Sequence, residues 1–356
     1  MRETSATGRA KRASAEHGRS PEWAPAMFHR REGEKVRCVL CPRACLLGEG
    51  DVGFCGVRRC HGGGIETATF AASVCQWGPV ERKPLYHVRP GARALTLAAP
   101  GCTFRCKYCL NYRLSQYGRS EGAQWDGVSV NVDDVVHKAA SQSGLIALSY
   151  SEPILAAELT LALARHASGS GVGILWKSNG FVTEAALATI APCLLAANID
   201  IKTADEDKHL CLTGAPLAPV LAAVRGLVQA GVWVEISTPV IPGFNADDAS
   251  LGRLAQTILA IGADVPWHLV RFMPAYKLQE APPASPSLLR RAREIARREG
   301  VRFVYVERAL GKDARNTYCH RCGAVLIRRG IWCTEEILLR DGQCPQCHSV
   351  IPGRWL

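Results

Sequence analysis

Between residues 92 and 306, short unbroken apolar runs alternate with helical patterns, and few architectures accept that alternation. The runs fall at 94–99, 145–150, 172–177, 197–202, 232–238 and 267–272, each rich in Val, Ile and Leu. Helical patterns at 133–142, 154–168, 184–191, 216–230 and 247–262 separate them, and one at 286–299 follows the last. Strands that are apolar on both sides must be covered on both sides, so a parallel sheet flanked by helices is expected. Six such units predict an α/β protein built on a partial (β/α)6 TIM-type barrel. A doubly wound open sheet competes with it, because periodicity alone does not separate the two. The ends of the runs favour the barrel, since polar clusters gather there: Gly101-Cys102, Ser151-Glu152-Pro153, Ser178-Asn179-Gly180, Asp200-Ile201-Lys202, Pro239 through Gly243, and His268 with Arg271. In barrels the active site lies on that face.

The flanks read differently. Residues 1–34 are polar and basic and are expected to be a disordered tail. Residues 35–91 form a small Cys-rich N-terminal module and a lead-in, 92–306 the barrel, and 307–356 a C-terminal zinc-ribbon-like module. No apolar segment near the start suggests a secretory leader, and no apolar run reaches membrane-spanning length, so a cytoplasmic enzyme with no membrane partner is expected. The net charge of +11 is spread along the chain. Solvated helix faces account for most of it, and no basic cluster is interleaved with aromatics, which argues against nucleic acid.

Sixteen cysteines in 356 residues are many, and in a reducing compartment clustered cysteines are read as metal ligands. Cys102, Cys106 and Cys109 are spaced C-x3-C-x2-C just after the first run. Three thiolates can hold a [4Fe–4S] cluster and leave one iron without a protein ligand, whereas electron-transfer clusters take four. S-adenosylmethionine (SAM) is the best-known occupant of such an iron. The C-terminal pairs Cys319/Cys322 and Cys344/Cys347 have zinc-ribbon spacing and predict a closed structural Zn²⁺ site. The sequence Cys344-x-x-Cys347-His348 also spells a c-type haem attachment, a reading the upstream pair argues against. The N-terminal set Cys38, Cys41, Cys45 and Cys55 suits structural Zn²⁺ and equally a second Fe–S cluster, and the reading leans to zinc. Cys60, Cys75, Cys193, Cys211 and Cys333 are expected to be packed thiols.

The run ends offer partners for SAM. Glu152 can accept from its ammonium or hold the turn whose carbonyls do so. Asp200 can accept from a ribose hydroxyl or the ammonium, and Lys202 can face the carboxylate. Ser178 and Asn179 can bond the ribose, and Tyr108 and His268 can flank the adenine. Each has a plainer reading: Asp200 and Lys202 share a strand face and can form a structural ion pair, Glu152-Pro153 can simply start a helix, and His268 can be a satisfied core histidine.

The cysteine triplet with Tyr108 before its last member resembles the signature of the radical SAM superfamily. Further stretches narrow the resemblance: Cys38-Val-Leu-Cys41-Pro-Arg-Ala-Cys45, Lys83-Pro-Leu-Tyr-His87, Tyr150-Ser-Glu-Pro153, Asp200-Ile-Lys202, Val240-Ile-Pro-Gly243, Pro266-Trp-His268, Asn316-Thr-Tyr-Cys319 and Ile351-Pro-Gly353. With these, the chain resembles the radical SAM enzymes of the AmmeMemoRadiSam group, relatives of the pyruvate formate-lyase activating enzymes. The resemblance implies a [4Fe–4S] cluster on Cys102, Cys106 and Cys109 and SAM contacts near Glu152, Asp200 and Lys202. It implies reductive cleavage of SAM to a 5′-deoxyadenosyl radical that abstracts hydrogen from an unidentified substrate. A reductant such as flavodoxin or ferredoxin, and AMMECR-type and Memo-type companions, are implied with it. Activation of a partner glycyl-radical enzyme is the alternative activity, and a non-catalytic metal-binding scaffold the alternative of another class. Two departures stand out: Tyr150-Ser151-Glu152 replaces the family's Gly-Gly-Glu, and Leu110 stands where a glutamine is expected.

Overall fold

The computed structural model describes residues 22–119 and 127–356. Its centre is an eight-stranded sheet of β1 (Val74–Pro79), β2 (Arg93–Ala98), β3 (Leu145–Leu148), β4 (Gly173–Ser178), β5 (Ala196–Asp200), β6 (Trp233–Val240), β7 (Trp267–Arg271) and β8 (Val304–Tyr305), ordered β8-β7-β6-β5-β4-β3-β2-β1. Strands β2 to β8 are parallel, and β1 closes one edge antiparallel to β2. Each strand pairs with its successor in sequence. A doubly wound sheet reverses its order at a switch point; this sheet has no reversal, so the competing topology is set aside. All six expected strands are present. β1 and β8 are additional, the one a six-residue strand with mixed burial and the other only two residues long, and neither carries a strong apolar signal.

The helices cover the sheet as their patterns predict, at Val132–Ala140, Ala157–His166, Glu184–Ile190, Ala218–Gln229, Asp248–Leu259 and Pro286–Arg298. Their starts are written in the sequence: side chains of Asn131, Thr183, Asp247 and Ser285 accept from the backbone N–H three residues on. A further helix, Glu206–Thr213, was not expected. Asp205 caps it, Gly214 ends it in the left-handed conformation, and its weak amphipathicity hid it. Among the described residues, no single helix is long and apolar enough to cross a membrane.

The expected tail needs correction. Residues 1–21 lie outside the described residues, but Ala24–Pro25 pairs with Gly64–Thr67, and His29–Glu32 forms a hairpin with Lys35–Cys38. The boundary placed at residue 34 therefore falls inside a hairpin. Gly33, at φ +64°, makes its turn. The N-terminal module is tied to the helix Ala157–His166 by a buried ion pair, Arg58 Nη1 to Glu158 Oε1 at 3.0 Å. Glu158 also accepts from the Met27 N–H.

The C-terminal module is a three-stranded antiparallel sheet, Thr317–Tyr318, Val325–Arg329 and Thr334–Ile337. It is less separate than expected: Cys319, Leu326, Ile327, Cys344 and Ile351 share one apolar cluster with Tyr86, Phe303 and Tyr305. Buried Arg329 fastens the joint, donating to the Tyr86 carbonyl at 2.6 Å and to Thr317 Oγ1 at 2.6 Å.

Candidate active site

The cysteine triplet sits on the loop that leaves the C-terminal end of β2, and the loop is pinned on several sides. Gly101 N–H donates to the Leu114 carbonyl, Arg105 N–H to Thr213, Lys107 N–H to Leu212, and Lys277 N–H to the Lys107 carbonyl. Gly101 has φ +93°, and a Cβ there would stand 2.9 Å from the Cys55 carbonyl oxygen and from Val57. Only glycine fits that bend. Polar groups address the sulfurs: Phe104 N–H points at Cys102 Sγ (3.3 Å), Asn179 Nδ2 approaches the same sulfur at 3.6 Å, and Ser115 Oγ lies 3.3 Å from Cys109 Sγ. Burial pushes the Cys106 thiol up to about 12, opposed by the positive charge of Lys202. A metal centre binding there would displace the proton.

Asp200 ends β5, and Lys202 follows two residues later on the same side. They form the ion pair anticipated as the plainer reading, Lys202 Nζ to Asp200 Oδ2 at 3.1 Å. A second cation escaped the sequence reading: Lys177, on β4, donates to both Asp200 and Asn198. A lysine directly after the apolar run Ile174–Trp176, still inside the strand, was the available signal. Burial would raise the Asp200 carboxyl, but the two ammonium groups hold it below its ordinary range. Lys202 Nζ stands 5.6 Å from the Tyr108 ring centroid, and that ring meets Phe272 edge-on. Tyr108, Asp200 and Lys202 therefore gather beside Cys106.

Glu152, Ser178 and Asn179 form one connected brace. Glu152 Oε1 accepts from Ser178 Oγ (2.6 Å) and the Ile154 N–H (3.1 Å), and Oε2 from the Asn179 N–H (2.9 Å). Burial lifts the Glu152 carboxyl to about 7 against these hydrogen bonds. The geometry thus favours Glu152 holding the turn, the second of its two expected roles. The ribose assignment for Ser178 and Asn179 needs the same correction, because both side chains are buried and committed to protein groups. Ser178 Oγ also accepts from the Gly180 N–H, and Asn179 joins Thr103 and Cys102. Tyr150 just before the brace adopts φ +71°. It makes the left-handed bend that glycine would make freely, at a cost of about 1–2 kcal/mol.

His268 does not flank this site. Its ring is fully buried, bonded through Nε2 to Glu235 Oε2 at 2.6 Å and packed against Tyr86 and Tyr305 at centroid distances of 4.7 and 5.2 Å. It is a core histidine, and the adenine role is withdrawn. Leu110 is 72% exposed beside Cys109. Cys75, Cys211 and Cys333 are exposed rather than packed.

Among the described residues, one group of three or more potential ligands has all its donor atoms within 4.8 Å: Cys319, Cys322, Cys344 and Cys347. Its Sγ pairs stand 3.5 Å (Cys319–Cys347) and 3.6 Å (Cys322–Cys344) apart. Four thiolates around one tetrahedral ion at the ~2.3 Å zinc–sulfur distance lie about 3.8 Å apart, so these cysteines can close on a single metal ion. Cys102, Cys106 and Cys109 do not converge on one point in this way, and three thiolates are the set that leaves a [4Fe–4S] cluster one open iron. The donor set, with polar groups addressed to its sulfurs, suits a [4Fe–4S] centre.

Comparison with known proteins agrees. The Radical SAM superfamily profile matches residues 97–255. An uncharacterised protein of Methanocaldococcus jannaschii is 33% identical over 90% of this chain and 96% of its own length. The benzylsuccinate synthase activating enzyme of Thauera aromatica is 34% identical over 36% of this chain and 42% of its own length. The pyruvate formate-lyase 1-activating enzyme of Escherichia coli is 25% identical over 61% of this chain and 93% of its own length. With the cysteine loop at the first parallel strand end and a relative matched along nearly its whole length, the chain belongs to the radical SAM superfamily.

Proposed function

We propose that Cys102, Cys106 and Cys109 hold the [4Fe–4S] cluster and that SAM binds against Tyr108, Asp200 and Lys202. When bound, the cluster supplies the electron that cleaves SAM to a 5′-deoxyadenosyl radical, which takes hydrogen from a substrate still to be identified. The chain's own residues supply position and charge. Lys202 offers a cation for the SAM carboxylate, Asp200 an acceptor for its ammonium or ribose, and Tyr108 an aromatic wall. Glu152, Ser178 and Asn179 keep the β3 and β4 turns, and through Asn179 the Cys102 sulfur, in place. The carrying observation is the pinned three-cysteine loop beside the Lys177–Asp200–Lys202 ion group. Curvature of the sequentially ordered sheet into a partial barrel would gather these strand ends around one pocket.

The finer assignments belong to the same proposal. The Cys319/Cys322/Cys344/Cys347 site takes Zn²⁺ in a zinc-ribbon-like module, supported by its Sγ spacing. The chain is a member of the AmmeMemoRadiSam group with AMMECR-type and Memo-type companions, supported by the motif stretches at both ends. It works in the cytoplasm with flavodoxin or ferredoxin as reductant; its sixteen cysteines form no disulfide among the described residues. The test is anaerobic reconstitution with iron and sulfide, then dithionite and SAM. 5′-Deoxyadenosine is expected from the wild type and none from Cys102→Ala. Zinc in all three cysteine groups with no 5′-deoxyadenosine would instead favour the scaffold reading.

A second reading has a specific observation behind it, because several relatives are activating enzymes. In that reading the hydrogen comes from a backbone glycine of a partner protein. A spin signal on the partner, with one 5′-deoxyadenosine per radical, distinguishes it from small-molecule chemistry.

A further inference from the structure

Cys38, Cys41, Cys45 and Cys55 line one small pocket with Arg43, Arg58 and Thr103. Four-ligand geometry alone admits zinc or iron, but the sulfur spacing separates them. The zinc-type site of this same chain draws its sulfurs to 3.5 and 3.6 Å. Among the described residues, no three of the four N-terminal sulfurs come within 4.8 Å of one another. A single tetrahedral ion with ~2.3 Å bonds does not span that spread. Cys102, Cys106 and Cys109 form no such close group either.

Two further features suit a negatively charged centre. Arg58 is 1% exposed, lines the pocket, and leaves its Nε without a partner, although its terminal nitrogens are held by Glu158 and Met27. The Phe54 N–H points at Cys45 Sγ at 3.5 Å, the kind of hydrogen bond to sulfur that tunes iron–sulfur potentials. The pocket also adjoins the first site. Thr103, which lines it, directly follows Cys102, and its carbonyl accepts from Arg43 at 3.1 and 3.2 Å. The Cys55 carbonyl packs on Gly101.

We infer that Cys38, Cys41, Cys45 and Cys55 hold a second iron–sulfur cluster, closed by four protein thiolates, as a one-electron store against the Cys102 loop. A low-potential one-electron donor reduces it by one electron, and no bond or proton need move. This is the second of the two centres the sequence left open for this set, where its reading leaned to zinc.

The experiment is metal and sulfide analysis of the full chain after anaerobic reconstitution, with electron paramagnetic resonance after dithionite reduction. The expected wild type carries iron beyond the ~4 of one cubane and about one zinc. A Cys102→Ala/Cys106→Ala/Cys109→Ala variant should keep the excess iron and a reduced-cluster signal indifferent to SAM. A Cys41→Ser/Cys55→Ser variant should lose that iron and keep a SAM-responsive signal. Wild type with about two zincs and no iron beyond one cubane overturns the inference, and this count needs no variant to fold. If the radical SAM reading fails instead, iron follows only the N-terminal set, so the two failures are distinct.

Discussion

The buried pair Arg58–Glu158 is the joint between the N-terminal module and the main sheet, and Glu158→Leu tests it. Both side chains are nearly sealed from water, at 2% and 6% exposure, so salt and solvent screen the pair little. At 3.0 Å the Coulomb attraction with an effective dielectric of ~20 is about 5.5 kcal/mol. Desolvation of both ions cancels much of it in the intact protein. Removing Glu158 alone leaves Arg58 charged, buried and unbalanced, which costs roughly 3–5 kcal/mol. The Met27 N–H loses its acceptor as well. Urea denaturation followed by circular dichroism should show the midpoint fall, and hydrogen exchange should place the loosening in 24–32 and 58–67. Arg58→Met/Glu158→Leu, with both charges gone, should recover a large part of the loss, giving a coupling of about 1–3 kcal/mol. A single-variant cost below about 1 kcal/mol, as for an exposed pair, or strict additivity in the double variant, would refute the reasoning.

Gly101→Ala should force the Cys102 loop off the Cys55 carbonyl; we expect a loss of about 2–3 kcal/mol and reduced iron retention on titration with a chelator. Burial holds the His87 imidazole down at about 4, opposed by Glu235. The folded protein therefore resists a proton that the unfolded chain accepts, so stability present above about pH 6.5 is lost as pH falls toward 4, by up to about 3 kcal/mol. Melting curves between pH 7.5 and 5.5 should show this slope in the wild type and a flatter one in His87→Phe. Cys344→Ser should release about one zinc per chain and expose the Phe303–Tyr305–Ile351 cluster, read as zinc content and dye binding; retained zinc with an unchanged melt would count against a structural metal there.

The alternating runs and the three cysteine groups determined the parallel strands, the covering helices and the candidate ligands, because burial on both faces and ligand spacing are local properties of a chain; the order of the strands was decided only by their pairing. Contacts between distant segments were not legible. Lys177 became the second partner of Asp200 only when β4 and β5 paired. His268 reads as a strand-end ligand until Tyr86, Glu235 and Tyr305 close around it. Ser178 and Asn179 look free in the sequence, yet Glu152 and Cys102, far along the chain, claim them. How closely four cysteines approach one another is likewise tertiary. C-x2-C spacing says that two sulfurs can meet a metal, but how far apart all four stand depends on how the hairpins and turns that carry them pack.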